Sequence, residues 1–358
     1  MVNKRIISSS QLFSMLLVCM IVITSTFGPE HVGYKDFWDC VISCGAAYLL
    51  NFIMILPIYF IYKSHPTSDI ITVAEKSLGK FSIIIKLIYA SYFILVCAHT
   101  LATFKSFIEN VMNPPVSFML LSMLLITLTC YAAAKGIEAI ARAAVIMLFF
   151  IITSLIFLGI SLRNNIDYTN FKPFFYEGID SVINGILFFI SRSSCIPILG
   201  LLLPYTKIKK IKTGIFVWNT IFYAIMTGAI IIVIGTLGDF AQTRIFPIYS
   251  TASIAKILSL ENLDILYLGL WTSGIFIKLA LFINLAAKCL KETFGGKNSK
   301  TCITLLGILL IFTTSLTSIV NITHGIFNIN IILISTILTA CLIPIIILIS
   351  NKILKFKK

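Results

Sequence analysis

Residues 183–204, INGILFFISRSSCIPILGLLLP, decide how the chain is read. The stretch is apolar enough to cross a bilayer, yet its middle, Ser191 to Pro197, holds an arginine, three serines and a proline. An arginine at the centre of a spanning helix costs about 2.5–3.5 kcal/mol on insertion scales, and Arg192 lies too deep to reach an interface by snorkelling. Pro197 lacks a backbone donor and frees a carbonyl one turn earlier, so the helix is expected to break where the polar side chains cluster. Unwound backbone at that depth is tolerated beside a cavity or buried in protein. The arginine and serines are therefore expected to line a cavity for a polar ligand.

The rest of the 358 residues places this stretch in context: 58% are hydrophobic, 12% are charged, and the mean hydropathy is +1.01. No soluble domain has such a surface, so the chain reads as one polytopic membrane domain, 1–358, without a soluble domain. Ten runs are long enough to cross about 30 Å of hydrocarbon as helices. They are Gln11 to Phe27, Cys40 to Tyr62, Ile83 to Thr103, Val116 to Ala134, Ala143 to Leu162, Val182 to Pro204, Thr213 to Leu237, Ile265 to Ala287, Thr301 to Val320 and Asn330 to Ser350, numbered here as spans one to ten. Continuous hydrophobicity excludes the alternating pattern of an outer-membrane barrel.

Basic residues orient the spans. With the N-terminus inside, nineteen Lys and Arg fall on inner segments and six on outer ones, while Lys86, Arg192 and Lys278 lie within spans, completing the 28 of the sequence. This asymmetry predicts two cytoplasmic termini. The net charge of +14 then reflects topology and contact with anionic lipid rather than nucleic acid, because the cations are scattered over every inner loop. Lys4 and Arg5 before an apolar run resemble a signal peptide, but no small-residue cleavage site follows, and the run is read as the first span. The nine cysteines lie mostly within spans without CxxC spacing, and read as small buried hydrophobes. Four histidines on separate segments suggest no metal site, cofactor or catalytic triad, and an enzyme reading has little support.

A second interruption is expected in span one, where TSTFGPEHVG, Thr24 to Gly33, places Thr24, Ser25 and Thr26 before Gly28 and Pro29. Spans one and six open two halves of five spans, about 7–162 and 178–355, which run in opposite directions across the membrane. The fold class is thus all-α, with ten helices in two inverted five-helix repeats of LeuT/APC type and helices one and six discontinuous. Gly, Pro, Ser and Thr are also common in ordinary membrane helices, so the first break could be a kink or a helix end. Candidate ligand-binding residues are Thr24, Ser25, Thr26, Gly28, Ser191, Arg192, Ser193, Ser194 and Cys195. Lys278 in span eight is either a fixed cation where sodium-coupled relatives of such a fold hold an ion, or a structural cation paired with a carbonyl or a distant carboxylate. His99 in span three is either a proton carrier or ligand contact, or a buried neutral imidazole. No acidic residue falls at mid-span, which makes a ligand carboxylate a natural partner for the buried cations.

Four segments resemble the spore germination permease family, the B subunits of GerA-type germinant receptors within the amino acid/polyamine/organocation superfamily. They are ISSSQLF (Ile7 to Phe13), AEKSLGK (Ala74 to Lys80), KGIEAIAR (Lys135 to Arg142) and RIFPIYS (Arg244 to Ser250), the last preceding an amphipathic outer helix. The resemblance covers nearly the whole chain. It implies a pocket between broken helices one and six, sensing of small nutrients, typically amino acids, in the spore inner membrane, and A-type and C-type (lipoprotein) subunits as partners. Family members usually carry a Gly-Glu pair about nine residues before the proline ending span six; Ser194 and Cys195 stand there, with Arg192 one turn earlier. That reversal of charge favours a ligand with a free carboxylate, or an anion, over an amine. In KGIEAIAR, Gly136 is a turn residue, and Glu138 and Arg142 have the spacing of a helical ion pair, a structural role.

Three functions share such a fold: a ligand-binding receptor subunit, a secondary transporter of amino acids or organic ions, and an ion or water conduit.

Overall fold

A computed structural model describes residues 7–24, 36–112, 117–172, 178–207, 210–255, 264–295, 299–317 and 329–356. These form fourteen helices and one pair of two-residue strands: β1 (Ile7–Ser8), α1 (Ser9–Thr24), α2 (Phe37–Ser64), α3 (Ile70–Leu78), α4 (Ser82–Phe107), α5 (Phe118–Lys135), α6 (Ile137–Leu162), α7 (Ile179–Ser191), α8 (Ile196–Leu202), β2 (Thr206–Lys207), α9 (Ile211–Leu237), α10 (Pro247–Ile254), α11 (Asp264–Phe294), α12 (Ser299–Thr317), α13 (Ile329–Ile337) and α14 (Ile343–Phe356).

All ten expected spans have a helical counterpart. Eight stretches are long and apolar enough to cross a membrane, and the shorter apolar helices Ser9–Val22 and Ser299–Thr314 occupy spans one and nine. Span six is α7 followed by α8, and span ten is α13, a π-helical turn at Leu338–Leu342, and α14. The neighbour pattern has the symmetry of an inverted repeat. Exchanging each span with the one five places on maps the α2–α7 contact onto α1–α9, α1–α6 onto α7–α13, and α5–α11 onto α4–α12; α4–α11, α2–α9 and α5–α12 map onto themselves. Span six is the innermost, with 89% of its most apolar window buried in protein, against 17% for span five on the rim.

Local chemistry fixes the ends. The Ser8 hydroxyl accepts from Gln11 N at 3.2 Å and the Gln11 carboxamide from Ser8 N at 2.8 Å, a reciprocal cap that starts α1. Just before it, Ile7 and Ser8 pair in parallel with Thr206 and Lys207, tying the start of span one to the end of span six. Asp36 caps α2 through Trp38 N, and Asp69 caps α3 through Thr72 N. Gly136, with φ 95°, makes the abrupt corner between α5 and α6 in a conformation that side chains other than glycine rarely adopt. Gly274 lets α11 approach α1 so closely that a Cβ there would lie 2.1 Å from Val22 Cγ2.

One short helix was not an element of the sequence reading, and another begins earlier than expected. Helix α3, between spans two and three, buries Ile70, Ile71, Val73 and Ala74, and carries the AEKSL of AEKSLGK, with Gly79 and Lys80 in the turn that follows. In RIFPIYS, Pro247 opens α10, so the motif enters the outer helix instead of preceding it, as suits a proline with its missing donor at the first turn.

Candidate functional site

The break in span six falls where the polar cluster predicts. α7 ends at Ser191, and the backbone donors of Arg192 still reach Phe188 O at 3.3 Å and Phe189 O at 3.2 Å. Ser193 N then bonds Ile190 O at 2.9 Å, Ile196 N bonds Ser193 O at 3.1 Å, and Pro197 sits in the first turn of α8. The serine hydroxyls serve different ends. Ser191 donates to Phe188 O at 2.6 Å and Ser193 to Phe189 O at 3.4 Å, so both close carbonyls of their own helix end. Ser194 faces outward from the break: its hydroxyl accepts from Lys278 Nζ at 3.4 Å, and its carbonyl accepts from the Tyr92 hydroxyl at 2.8 Å.

Two cations converge here. Arg192 is 2% exposed and its guanidinium stacks 4.6 Å from the centre of the Phe188 ring. Such a desolvated cation–π contact contributes about 2 kcal/mol and offsets part of the insertion cost. Lys278 is 1% exposed, lies 5.4 Å from the Phe282 ring centre, and has Cys195, Cys19, Arg192 and Cys97 as its titratable neighbours. Spans one, three, six and eight therefore meet at one ammonium group. Among the described residues, no carboxylate lies within ion-pair distance of Lys278. In this state the break is closed: Ser191, Arg192, Ser193, Ser194 and Cys195 are all at most 2% exposed. The residues expected to line a cavity are thus packed within protein.

Of the first-span candidates, Thr24 is the last residue of α1, and Ser25, Thr26 and Gly28 lie outside the described residues. His99 is buried on α4, where Thr103 donates to its carbonyl at 2.9 Å. At the corner after Gly136, Arg142 reaches Glu138 at 2.5 Å in an exposed i to i+4 pair. None of the nine cysteines is joined in a disulfide.

Several site residues escaped the sequence reading. Tyr92 bridges the Ser194 carbonyl and Thr336 Oγ1 (3.2 Å), linking spans three and ten to the break. Tyr89 donates at 2.7 Å to Thr339 O, within the π-helical turn of span ten. Trp271 donates at 3.2 Å to Val22 O near the end of α1. A polar ladder joins α2 to α9: Asn51 Nδ2 donates to Asn219 Oδ1 at 3.2 Å, the Tyr48 and Thr220 hydroxyls meet at 3.1 Å, and Cys44 meets Thr227 at 3.7 Å. Mid-span asparagines were the available signal, since a buried amide in lipid requires an interhelical partner.

On the face carrying the N-terminus, Asp69 is 1% exposed and accepts from Lys288 Nζ at 2.5 Å and from the Tyr205 hydroxyl at 3.0 Å. Burial opposes the charge on this carboxyl, but Lys288 and the hydrogen bonds from Lys288 and Thr72 outweigh it and hold its pKa below the ordinary value. Lys86 pairs with Glu75 and donates at 3.0 Å to Glu292 O. These bonds join α3 to the ends of spans six and eight beneath the break.

The architecture is shared with solved transporters. A substrate-bound, outward-open Na+-coupled sialic acid symporter matches with a TM-score of 0.65 at 13% identity, over 95% of this chain and 80% of its own. MhsT in complex with L-phenylalanine matches with 0.60 at 16% identity, over 94% and 87%. At such identities the likeness is one of fold. Among curated proteins, spore germination protein KB of Bacillus subtilis (strain 168) is 24% identical across 83% of this chain and 81% of its own length. Spore germination protein XB of Bacillus anthracis is 26% identical across 74% of each. The model of the family described as spore germination protein matches residues 6–322. With the repeat architecture and the four motifs in order, this match places the chain in the spore germination permease family.

Proposed function

We propose that the protein is the membrane-embedded B-type subunit of a spore germinant receptor, holding a small nutrient with a free carboxylate, an amino acid in the first instance, at the break of span six. The observation that carries this reading is the convergence of two buried cations on the break: Lys278 donates to the Ser194 hydroxyl, and Arg192 is near enough for its charge to act on Lys278. A carboxylate arriving there meets a guanidinium fork and an ammonium already desolvated, and supplies the negative charge that Lys278 lacks among the described residues. Thr24, Ser25, Thr26 and Gly28 of span one complete the pocket in this reading. Both fold neighbours are described with a carboxylate compound, a sialic acid and L-phenylalanine.

The closed break implies an open state through which ligand enters, reached by movement of the halves 7–162 and 178–355 against each other. A ligand shifts that equilibrium only by its differential affinity for the two states, and A-type and C-type partner subunits read the shift. The chain sits in the spore inner membrane with both termini cytoplasmic, as its basic residues direct. Spores carrying Arg192→Ala at normal protein level are expected to lose nutrient-triggered fall in optical density, and Arg192→Lys to fail also, because an ammonium cannot reproduce a bidentate fork. An unchanged response in Arg192→Ala at normal level would remove Arg192 as a ligand contact.

A secondary transporter of amino acids or organic ions is the second reading, supported by the symporter fold. Proteoliposomes containing this chain alone separate the two: label accumulated above a permeabilised control means transport, and label bound without accumulation means sensing.

A further inference from the structure

The ends of α2 and α9 meet on the face that carries the N-terminus. Lys212 Nζ lies 5.8 Å from the centre of the Tyr59 ring, fixing the first turn of α9 against the last turns of α2. Lys63 follows Tyr59 by four residues, so it stands one turn further out on the same side of α2. Lys210, two residues before Lys212 at the start of α9, is exposed like Lys63 and Lys212. Residues 181–238 contain no Asp or Glu.

Neighbouring cations on this face are neutralised within the protein: Lys86 by Glu75, Lys288 by Asp69, Arg142 by Glu138. Among the described residues, Lys63, Lys210 and Lys212 have no carboxylate within ion-pair distance. One turn deeper than this rung, the surface becomes apolar and aromatic. Phe60 is 48% exposed and Phe216, four residues after Lys212, is 53% exposed and stacks on Phe52 at 6.0 Å. The order from outside inward is thus charge, then aromatic ring, then the aliphatic flanks of two spans. One helical turn of about 5.4 Å separates the first two levels.

We propose that this is a binding site for one anionic phospholipid, its phosphate held by Lys63, Lys210 and Lys212 and its glycerol and upper acyl segment lying along Tyr59, Phe60 and Phe216. The charges match a headgroup, and the rings lie at the depth where a lipid chain begins. A soluble polyanion would use the lysines alone.

The test is native mass spectrometry of the full chain in a neutral detergent, titrated with phosphatidylglycerol or with phosphatidylcholine of the same acyl chains, with and without inorganic phosphate. Wild type is expected to retain phosphatidylglycerol in preference to phosphatidylcholine. The triple variant Lys63→Gln/Lys210→Gln/Lys212→Gln should weaken that affinity by about a hundredfold, from a loss of about fivefold per lysine, with its thermal midpoint retained. Should the triple variant unfold, Lys212→Gln alone should still show about the fivefold loss. Equal retention of the two lipids by wild type, or equal phosphatidylglycerol affinity in wild type and variants, would overturn the proposal. Displacement of the lipid by inorganic phosphate in the low millimolar range would also overturn it, by showing an anion site without acyl recognition.

Discussion

Neutralising Lys288 provides a quantitative test of how the face beneath the break is held. Asp69 is 1% exposed, accepts Lys288 at 2.5 Å and Tyr205 at 3.0 Å, and caps α3 through Thr72 N at 2.9 Å. Lys288→Met leaves that carboxylate buried without its cation, and breaking a buried pair from one side costs about 3–5 kcal/mol. Lys288 keeps 23% of its side chain exposed, and water entering there offsets part of the loss, so about 3 kcal/mol is expected. Asp69→Asn retains some capping and should cost less, about 1–2 kcal/mol. The double variant should be more stable than Lys288→Met alone, since no unpaired charge remains. Thermal midpoints in one detergent, read by loss of the monodisperse chromatographic peak, give the cycle. Additive single effects would refute the pairing. The pH dependence supplies a second check. A carboxyl whose folded pKa is depressed contributes stability above its unfolded value of about 3.9 and loses it as pH falls through the folded value. The gap between wild type and Asp69→Asn should therefore hold from pH 7 to about 5 and shrink below about 4; a gap that widens in acid would contradict the sign of the shift.

Two further substitutions probe the packing around the break. Tyr92→Phe leaves the Ser194 carbonyl without its 2.8 Å donor and should destabilise the protein by about 1 kcal/mol, visible as a lower thermal midpoint; no change would mean that the carbonyl finds another donor at no cost. Gly274→Ala drives a methyl group to 2.1 Å from Val22 and should cost about 1–3 kcal/mol, with partial recovery in Gly274→Ala/Val22→Ala; an unaltered single variant would show that α1 and α11 are free to separate.

The sequence made the spans legible because lipid forces a nearly uninterrupted apolar run of set length, and the polar break in span six stands out against that background. The site was only half legible. Arg192, Ser194 and Lys278 come together as their residue types suggested, but Ser191 and Ser193 turn back to their own helix, since the carbonyls freed at a helix end compete for nearby hydroxyls. Tyr92 lies 102 positions from Ser194, and no local pattern marks that pairing. The polar ladder between α2 and α9 left a trace in Asn51 and Asn219, but their mutual register emerges from tertiary packing. Helix α3 was hidden for another reason: nine residues with one polar and one apolar face resemble an ordinary loop until the packed ends of the spans supply the surface they cover.

The small parallel pairing of Ile7 with Thr206 and Ser8 with Lys207 bears on how the protein is made. Its two strands are separated by five complete spans and the whole of a sixth. During synthesis the first strand leaves the ribosome early and must wait, unpaired, until the chain has crossed the membrane six times. Contacts of such long sequence separation form late, after many local ones. The pairing can close only when span six has been inserted with its end on the same side as β1. A chain that skips or inverts one span presents its second strand to the opposite side of the membrane, and the first strand remains an open edge for quality-control proteases.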